Sequence, residues 1–300
     1  MVGKKVAGKE GKADVEAQCQ ESSDTGWHSH NIKERCSDTK EETMKEETII
    51  EAKNLNVTRG GTVVIKDAAF AVKRGDYVGI VGPNGGGKTT LIRTLLGLIP
   101  FEKGEIRLFG QDISDFKSWD KIAYVSQHAT AFEEDFPLTV KELVLLGRLN
   151  KSRMLRPFNK EDEKAVEEAL ELMGIKDLKD RRIGNLSGGQ KQRCFIAKAL
   201  VRQPEVMFLD EPISGVDPQT QSIFYKLLSN LNRKKGITIL IVSHDLTAVF
   251  CRMSKVICVN RDVYAADISE DTDPNEIIRK SYGEHFHFAF HRHECRGDFA

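Results

Sequence analysis

A continuous apolar run, YVGIV (Tyr77 to Val81), leads directly into GPNGGGKTT and then into the helical pattern TLIRTLLGLI. Five apolar residues without alternation read as a strand buried on both faces, as in a parallel sheet. Gly82, four residues, then Gly87, Lys88 and Thr89 is the complete phosphate-loop spacing. Glycines let backbone N–H groups wrap phosphate oxygens, and the amino terminus of the following helix adds the positive end of its dipole. Gly82, Pro83, Asn84, Gly85, Gly86, Gly87, Lys88, Thr89 and Thr90 are therefore the expected nucleotide-binding loop. Lys88 is expected to bridge the β and γ phosphates, and the Thr89 hydroxyl to ligate magnesium.

Two further buried runs end in residues suited to the same chemistry. VMFLDEP (Val206 to Pro212) ends in two acids. Asp210, at the carboxyl tip of its strand, is expected to hold the magnesium, and Glu211 to orient or deprotonate an attacking water. ITILIVSHD (Ile237 to Asp245) ends in His244, a candidate γ-phosphate contact. Open parallel sheets bind ligands beyond the carboxyl ends of their strands, which predicts that these tips meet. Between the loop and the acids lies a mostly helical insert. Thr139 with Glu142 forms a capping box before LVLLGRL, and NKEDEKAVEEALELMG is an amphipathic helix ending at Gly174. LSGGQKQRCFIAKAL follows, with Ser187 and Gln190 as another capping box. Its Gly188 and Gly189 leave the helix amino terminus open to an anion. One chain needs one phosphate loop, so this second anion-ready helix end implies a phosphate supplied by another subunit.

Charge and composition narrow the partners. The 300 residues hold 45 Lys plus Arg against 45 Asp plus Glu, so no basic field favours nucleic acid. No apolar run has the length of a membrane span, and the start lacks the apolar core of a secretory signal, which predicts a cytoplasmic protein. Cys19, Cys36, Cys194, Cys251, Cys258 and Cys295 show no C-x-x-C spacing and no disulfide framework. Residues 1–47 are polar, rich in Lys and Glu, and read as a disordered arm. Residues 48–260 read as the nucleotide-binding domain, with its helical part at about 128–200, and 261–300 as a carboxyl-terminal extension.

That extension carries HFHFAFHRHEC, from His285 to Cys295. At period two, His285, His287, His291, His293 and Cys295 share one face and Phe286, Phe288 and Phe290 the other. Histidines two apart on a strand sit roughly 6.5–7 Å apart at Cα, within reach of one metal ion. Two readings stand: a zinc site, or an edge strand with a packed Phe face and a solvated His face.

In order, the phosphate loop, Gln127 in AYVSQ, LSGGQ, FLDEP, SGVD ending in Asp217, and His244 resemble the nucleotide-binding subunit of the ATP-binding cassette family. The resemblance runs from about residue 48 to the end. It implies an α/β fold with a P-loop NTPase (RecA-like) core, an antiparallel β subdomain and a helical signature subdomain. It implies ATP and Mg2+, the ion held by Thr89, Gln127 and Asp210, with Glu211, His244 and Gln127 serving catalysis. It implies a head-to-tail dimer in which Ser187 and Gly189 complete the partner's site, with Gly188, Gln190 and Asp217 among the nucleotide-binding residues. FPLTVKELVLLGR resembles both metal and siderophore importers, and DPQTQSIFYKLLSNLN, VICVN and the His-bearing end look more like the zinc and manganese uptake branch. That branch implies a separate integral-membrane permease, an external metal-binding lipoprotein or periplasmic protein, and a peripheral place on the cytoplasmic face of the membrane. A siderophore or cobalamin importer, or a soluble cassette ATPase of the iron–sulfur assembly type, are the alternative readings. One position departs from the pattern: Arg59, in NVTRGG, stands where the family usually stacks an aromatic residue on adenine.

Overall fold

The computed structural model describes residues 47–127, 137–149, 157–213 and 216–283. Nine strands form one sheet in the order β5-β4-β1-β2-β9-β3-β8-β7-β6. β1 (Thr48–Arg59), β2 (Thr62–Lys73), β4 (Lys103–Leu108) and β5 (Gln111–Asp112) pair antiparallel. β3 (Tyr77–Val81), β6 (Ile122–Val125), β7 (Val206–Leu209), β8 (Thr238–Val242) and β9 (Lys255–Asp267) pair parallel. β2 and β9 join the halves in parallel through Ile65 and Arg261.

The unbroken apolar runs follow from this arrangement. Tyr77 and Val81 of β3, Met207 and Leu209 of β7, and Ile239 and Ile241 of β8 enter one core. Val78, Ile80, Phe208, Leu240 and Val242 enter a second core on the opposite face. Strand side chains alternate faces, so a strand covered on both sides is apolar at every position. α1 (Lys88–Leu95) lies over the second core, with Leu91, Ile92 and Leu95 fully buried. It is shorter than the pattern TLIRTLLGLI suggests, because Gly97 adopts φ +67° and turns the chain out of the helix.

The first core also takes in α2 (Val140–Leu146), α3 (Lys160–Leu172) and α4 (Gly188–Leu200). All three begin in capping boxes, at Thr139–Glu142, Asn159–Asp162 and Ser187–Gln190. α5 (Pro218–Lys235) and α6 (Leu246–Arg252) cover the same face. The expected boundary at 260 falls inside a strand: β9 continues to Asp267, and α7 (Pro274–Tyr282) packs back on it with Ile277 and Ile278 buried. α7 thereby covers part of β9 with its buried isoleucines.

Candidate nucleotide site

The loop between β3 and α1 is shaped by backbone contacts that only glycine permits. A Cβ on Gly82 would lie 2.0 Å from the Val259 carbonyl oxygen of β9. Gly87 caps α1 at φ +103°, where a Cβ would press on Ile65 and Val64 of β2 at 3.0 Å. The Gly86 amide donates to the Pro83 carbonyl (3.0 Å), and the Arg261 amide of β9 donates to the Gly86 carbonyl (3.2 Å). The loop is thus clasped by β9 and β2.

Lys88 is 5% exposed and donates from Nζ to the Gly82 and Pro83 carbonyls, each at 3.0 Å. Burial lowers its pKa, against the pull of Glu211 and Asp210. Thr89 Oγ1 donates to Asp210 Oδ1 at 3.0 Å, and the Tyr124 hydroxyl donates to Asp210 Oδ2 at 3.3 Å. Asp210 is fully buried; burial raises its pKa, and the Thr89 and Tyr124 hydroxyls oppose that rise. A buried carboxylate beside a threonine hydroxyl is a hard oxygen donor pair, and a divalent cation there would offset the cost of burying the charge. Thr89 and Asp210 therefore fit magnesium.

Glu211 is the hub of a second cluster. Its Oε2 accepts from Gln127 Nε2 at 2.9 Å, and its Oε1 lies 3.0 Å from His244 Nε2. Its φ of +47° puts a non-glycine residue in the left-handed region two residues beyond β7, a conformation that costs energy and recurs at functional sites. Gln127, expected beside magnesium, donates its amide nitrogen to Glu211. Three strand ends, β6, β7 and β8, thereby converge in one cluster beside the loop, and Glu211 and His244 share the wall of a 360 Å³ cleft.

Ser187 accepts from the Gln190 amide (3.3 Å) while Gln190 Oε1 accepts from the Ser187 amide (3.0 Å). Gly188 and Gly189 occupy the first turn of α4, and no described residue of the phosphate loop bonds to this helix end. A Cβ on Gly189 would meet Thr220 of α5 at 2.5 Å, so the α4 and α5 amino termini abut. Asp217 caps α5 by accepting from the Thr220 amide (2.9 Å), and that bond lowers its pKa.

With this geometry established, similarity to known proteins places the chain. A family model described as ABC transporter matches residues 65–214, half of the chain. The chain is 42% identical to the zinc uptake system ATP-binding protein ZurA of Listeria innocua over 215 residues, 72% of this chain and 84% of the relative. The chain belongs to the ABC transporter family. This cassette is also 36% identical to the manganese transport system ATP-binding protein MntB of Bacillus subtilis, over 78% of the chain and 92% of the relative. Its fold matches the structure of cbiO1 from Clostridium perfringens, part of the ABC transporter complex cbiONQ. The TM-score is 0.66 at 31% identity, covering 78% and 92% of the two chains.

Of the residues expected from the cassette's sequence, the structure gathers Lys88, Thr89, Gln127, Asp210, Glu211 and His244 into two linked clusters. It sets Ser187, Gly188, Gly189, Gln190 and Asp217 at a separate pair of helix ends. Arg59 is exposed near the β1–β2 turn. His285, His287, His291, His293 and Cys295 lie outside the described residues, among which no group of three His, Cys, Asp or Glu is placed to hold a metal. Among the described residues no helix is long and apolar enough to cross a membrane. Sequence reasoning missed Tyr124, Tyr225 and Ser243. Tyr124 was discoverable, since it stands three residues before Gln127 at the tip of β6. The pairing of Tyr225 with Ser243 has no local signal.

Proposed function

We propose that this chain is the ATP-hydrolysing subunit of a membrane importer of metal ions, with zinc as the first cargo and manganese as the second. The observation that carries the reading is the 42% identity to a zinc uptake ATP-binding protein across 84% of that relative. The loop amides of residues 84–90 and the Lys88 ammonium bind the β and γ phosphates of ATP. Thr89 and Asp210 hold Mg2+, which neutralises phosphate charge when bound. Gln127 and His244 fix the Glu211 carboxylate, and Glu211 takes the proton as the water oxygen bonds to the γ phosphorus. The bond from that phosphorus to the β-γ bridging oxygen breaks, and its electron pair leaves with ADP.

Two copies complete each other's sites, since the Ser187–Gln190 helix end and the phosphate loop of one chain are separate. Asp217 lies beside that helix end and belongs to the same contact surface. The dimer docks on an integral-membrane permease at the cytoplasmic face of the membrane, with an external metal-binding protein delivering the ion. The tail donors His285, His287, His291, His293 and Cys295 sense or hold Zn2+, a reading supported by their period-two pattern and by the likeness of the His-bearing end to zinc-type members.

The test uses cells lacking the chain, complemented with wild type, Glu211→Gln or a form cut after Gly283. Glu211→Gln should bind ATP normally yet slow hydrolysis on the order of 10² to 10³-fold and abolish zinc uptake. The shortened form should keep hydrolysis and lose tight zinc binding. Unchanged turnover in Glu211→Gln removes the catalytic assignment, unimpaired zinc uptake in cells lacking the chain removes the cargo, and zinc binding that survives shortening removes the tail site.

A further inference from the structure

His244 is half-exposed, but the residues on either side of it are tightly held. Ser243 is 4% exposed and its amide continues the β8–β3 ladder by donating to the Ile80 carbonyl at 3.1 Å. Its hydroxyl accepts from the Asp245 amide at 2.9 Å and donates to the Asp245 carbonyl at 3.5 Å, closing a ring around His244. Asp245 in turn caps α6 by accepting from the Ala248 amide at 2.9 Å. A serine hydroxyl has one proton and two lone pairs. The Tyr225 hydroxyl of α5 shares a 2.7 Å hydrogen bond with the same oxygen. Tyr225 is 2% exposed, and burial pushes its phenol up to about 12, so it stays neutral across the physiological range. Tyr225, Ser243, His244 and Glu211 all line the same 360 Å³ cleft.

We propose that Tyr225 is a positioning residue for hydrolysis, acting through Ser243 to hold the His244 turn at the height from which the imidazole reaches Glu211. Without the phenol hydroxyl, the turn loses its anchor from α5, and the 3.0 Å contact to Glu211 loosens. Tyr225 lies eight residues after the Asp217 cap, about 12 Å along one rigid helix. The anchor therefore also ties His244 to the helix end that abuts α4. The inference rests on the reading of Glu211 and His244 as the hydrolytic pair.

The experiment compares the full chain with Tyr225→Phe, Ser243→Ala, Ser243→Thr and His244→Ala, and with Tyr225→Phe placed in the His244→Ala background. It reads single-turnover hydrolysis, steady-state kcat and KM, binding of a fluorescent ATP analogue, and thermal stability. Loss of one hydrogen bond predicts about a tenfold fall in kcat for Tyr225→Phe and Ser243→Ala. Nucleotide affinity and KM should not change, Ser243→Thr should recover most of the rate, and Tyr225→Phe should add nothing when His244 is already alanine. Wild-type kcat in Tyr225→Phe overturns the proposal. So does a fall in which affinity and thermal stability drop together with rate, which marks a purely structural role, and so does a full additive effect in the His244→Ala background. Wild-type turnover in His244→Ala would instead remove the underlying reading of the pair, whatever Tyr225→Phe does.

Discussion

At Gly82, side-chain absence is itself the functional property. The missing Cβ lets the Val259 carbonyl approach to a distance that alanine would reduce to 2.0 Å, and the φ of +151° belongs to a backbone region that L side chains rarely adopt. Gly82→Ala must push β9 away from β3 or reshape the loop, and either is an overpacking penalty of about 1–3 kcal/mol. The expected result is a lower urea midpoint together with weaker ATP binding; an unchanged midpoint would show that the loop relaxes without cost. Glu211 shows the complementary case, a charged side chain kept in a left-handed backbone so that its two oxygens face Gln127 and His244 at once. The phosphate-loop glycines were legible from spacing alone. The orientation of Gln127 toward Glu211 was not, because it depends on β6 and β7 lying side by side.

Among the elements, the helical insert was the most readable. Each of its three caps was marked by a short polar residue followed three positions later by a residue that can reach back, although the Asn159–Asp162 pair was passed over in favour of the helix it starts. In that box the Asn159 side chain accepts from the Asp162 amide at 3.0 Å, and Asp162 Oδ2 accepts from the Asn159 amide at 3.0 Å. The other Asp162 oxygen accepts from Arg148 at 2.8 Å, so one buried acid ties α3 to the end of α2. Asn159→Ala should cost about 1 kcal/mol and lower the melting temperature by about 2–4 °C, with ATP turnover unaffected. A calorimetric scan with a parallel hydrolysis assay checks both halves. The strands β4 to β6 carry weak signals because they are short, and α7 carries one because its partner, β9, is set by the fold rather than by neighbouring residues.

Across the molecule, the antiparallel and parallel parts of the sheet are linked by a charged junction as well as by β2 and β9. Glu205, just before β7, accepts from Lys121 at 2.8 Å and from Arg74 at 2.5 Å, and Arg74 also pairs with Glu47 at 2.8 Å. Arg74 and Lys121 both lie over the Phe109 ring at the end of β4. The hydrogen bond from Lys121, followed by that from Arg74, holds the Glu205 carboxyl below its usual range. A carboxylate with a lowered folded pKa stabilises the protein above its unfolded value, near 4.5, and that contribution disappears as pH falls through the folded value. Glu205→Gln should therefore be less stable than wild type at pH 7 by about 0.5–1 kcal/mol, a value limited by the partial exposure of the pair. The gap should close under strongly acidic conditions. Urea unfolding at both pH values measures it, and a gap that persists in acid would assign the effect to packing.

The sequence by itself determined the chemistry of this protein: a phosphate loop between a buried strand and a helix, an acid pair at one strand tip, a histidine at another, and a capped, glycine-opened helix. These are local because each depends on backbone conformation, capping or period over a few residues. Only the tertiary structure decided which of these groups touch. It brought Gln127, Glu211 and His244 together from three strands, left Ser187 and Asp217 at a separate surface of the same chain, extended the cassette through β9 and α7, and set Tyr225 against Ser243. Those contacts join residues far apart in the chain, and they arise from strand order and helix packing, which no short window of residues encodes.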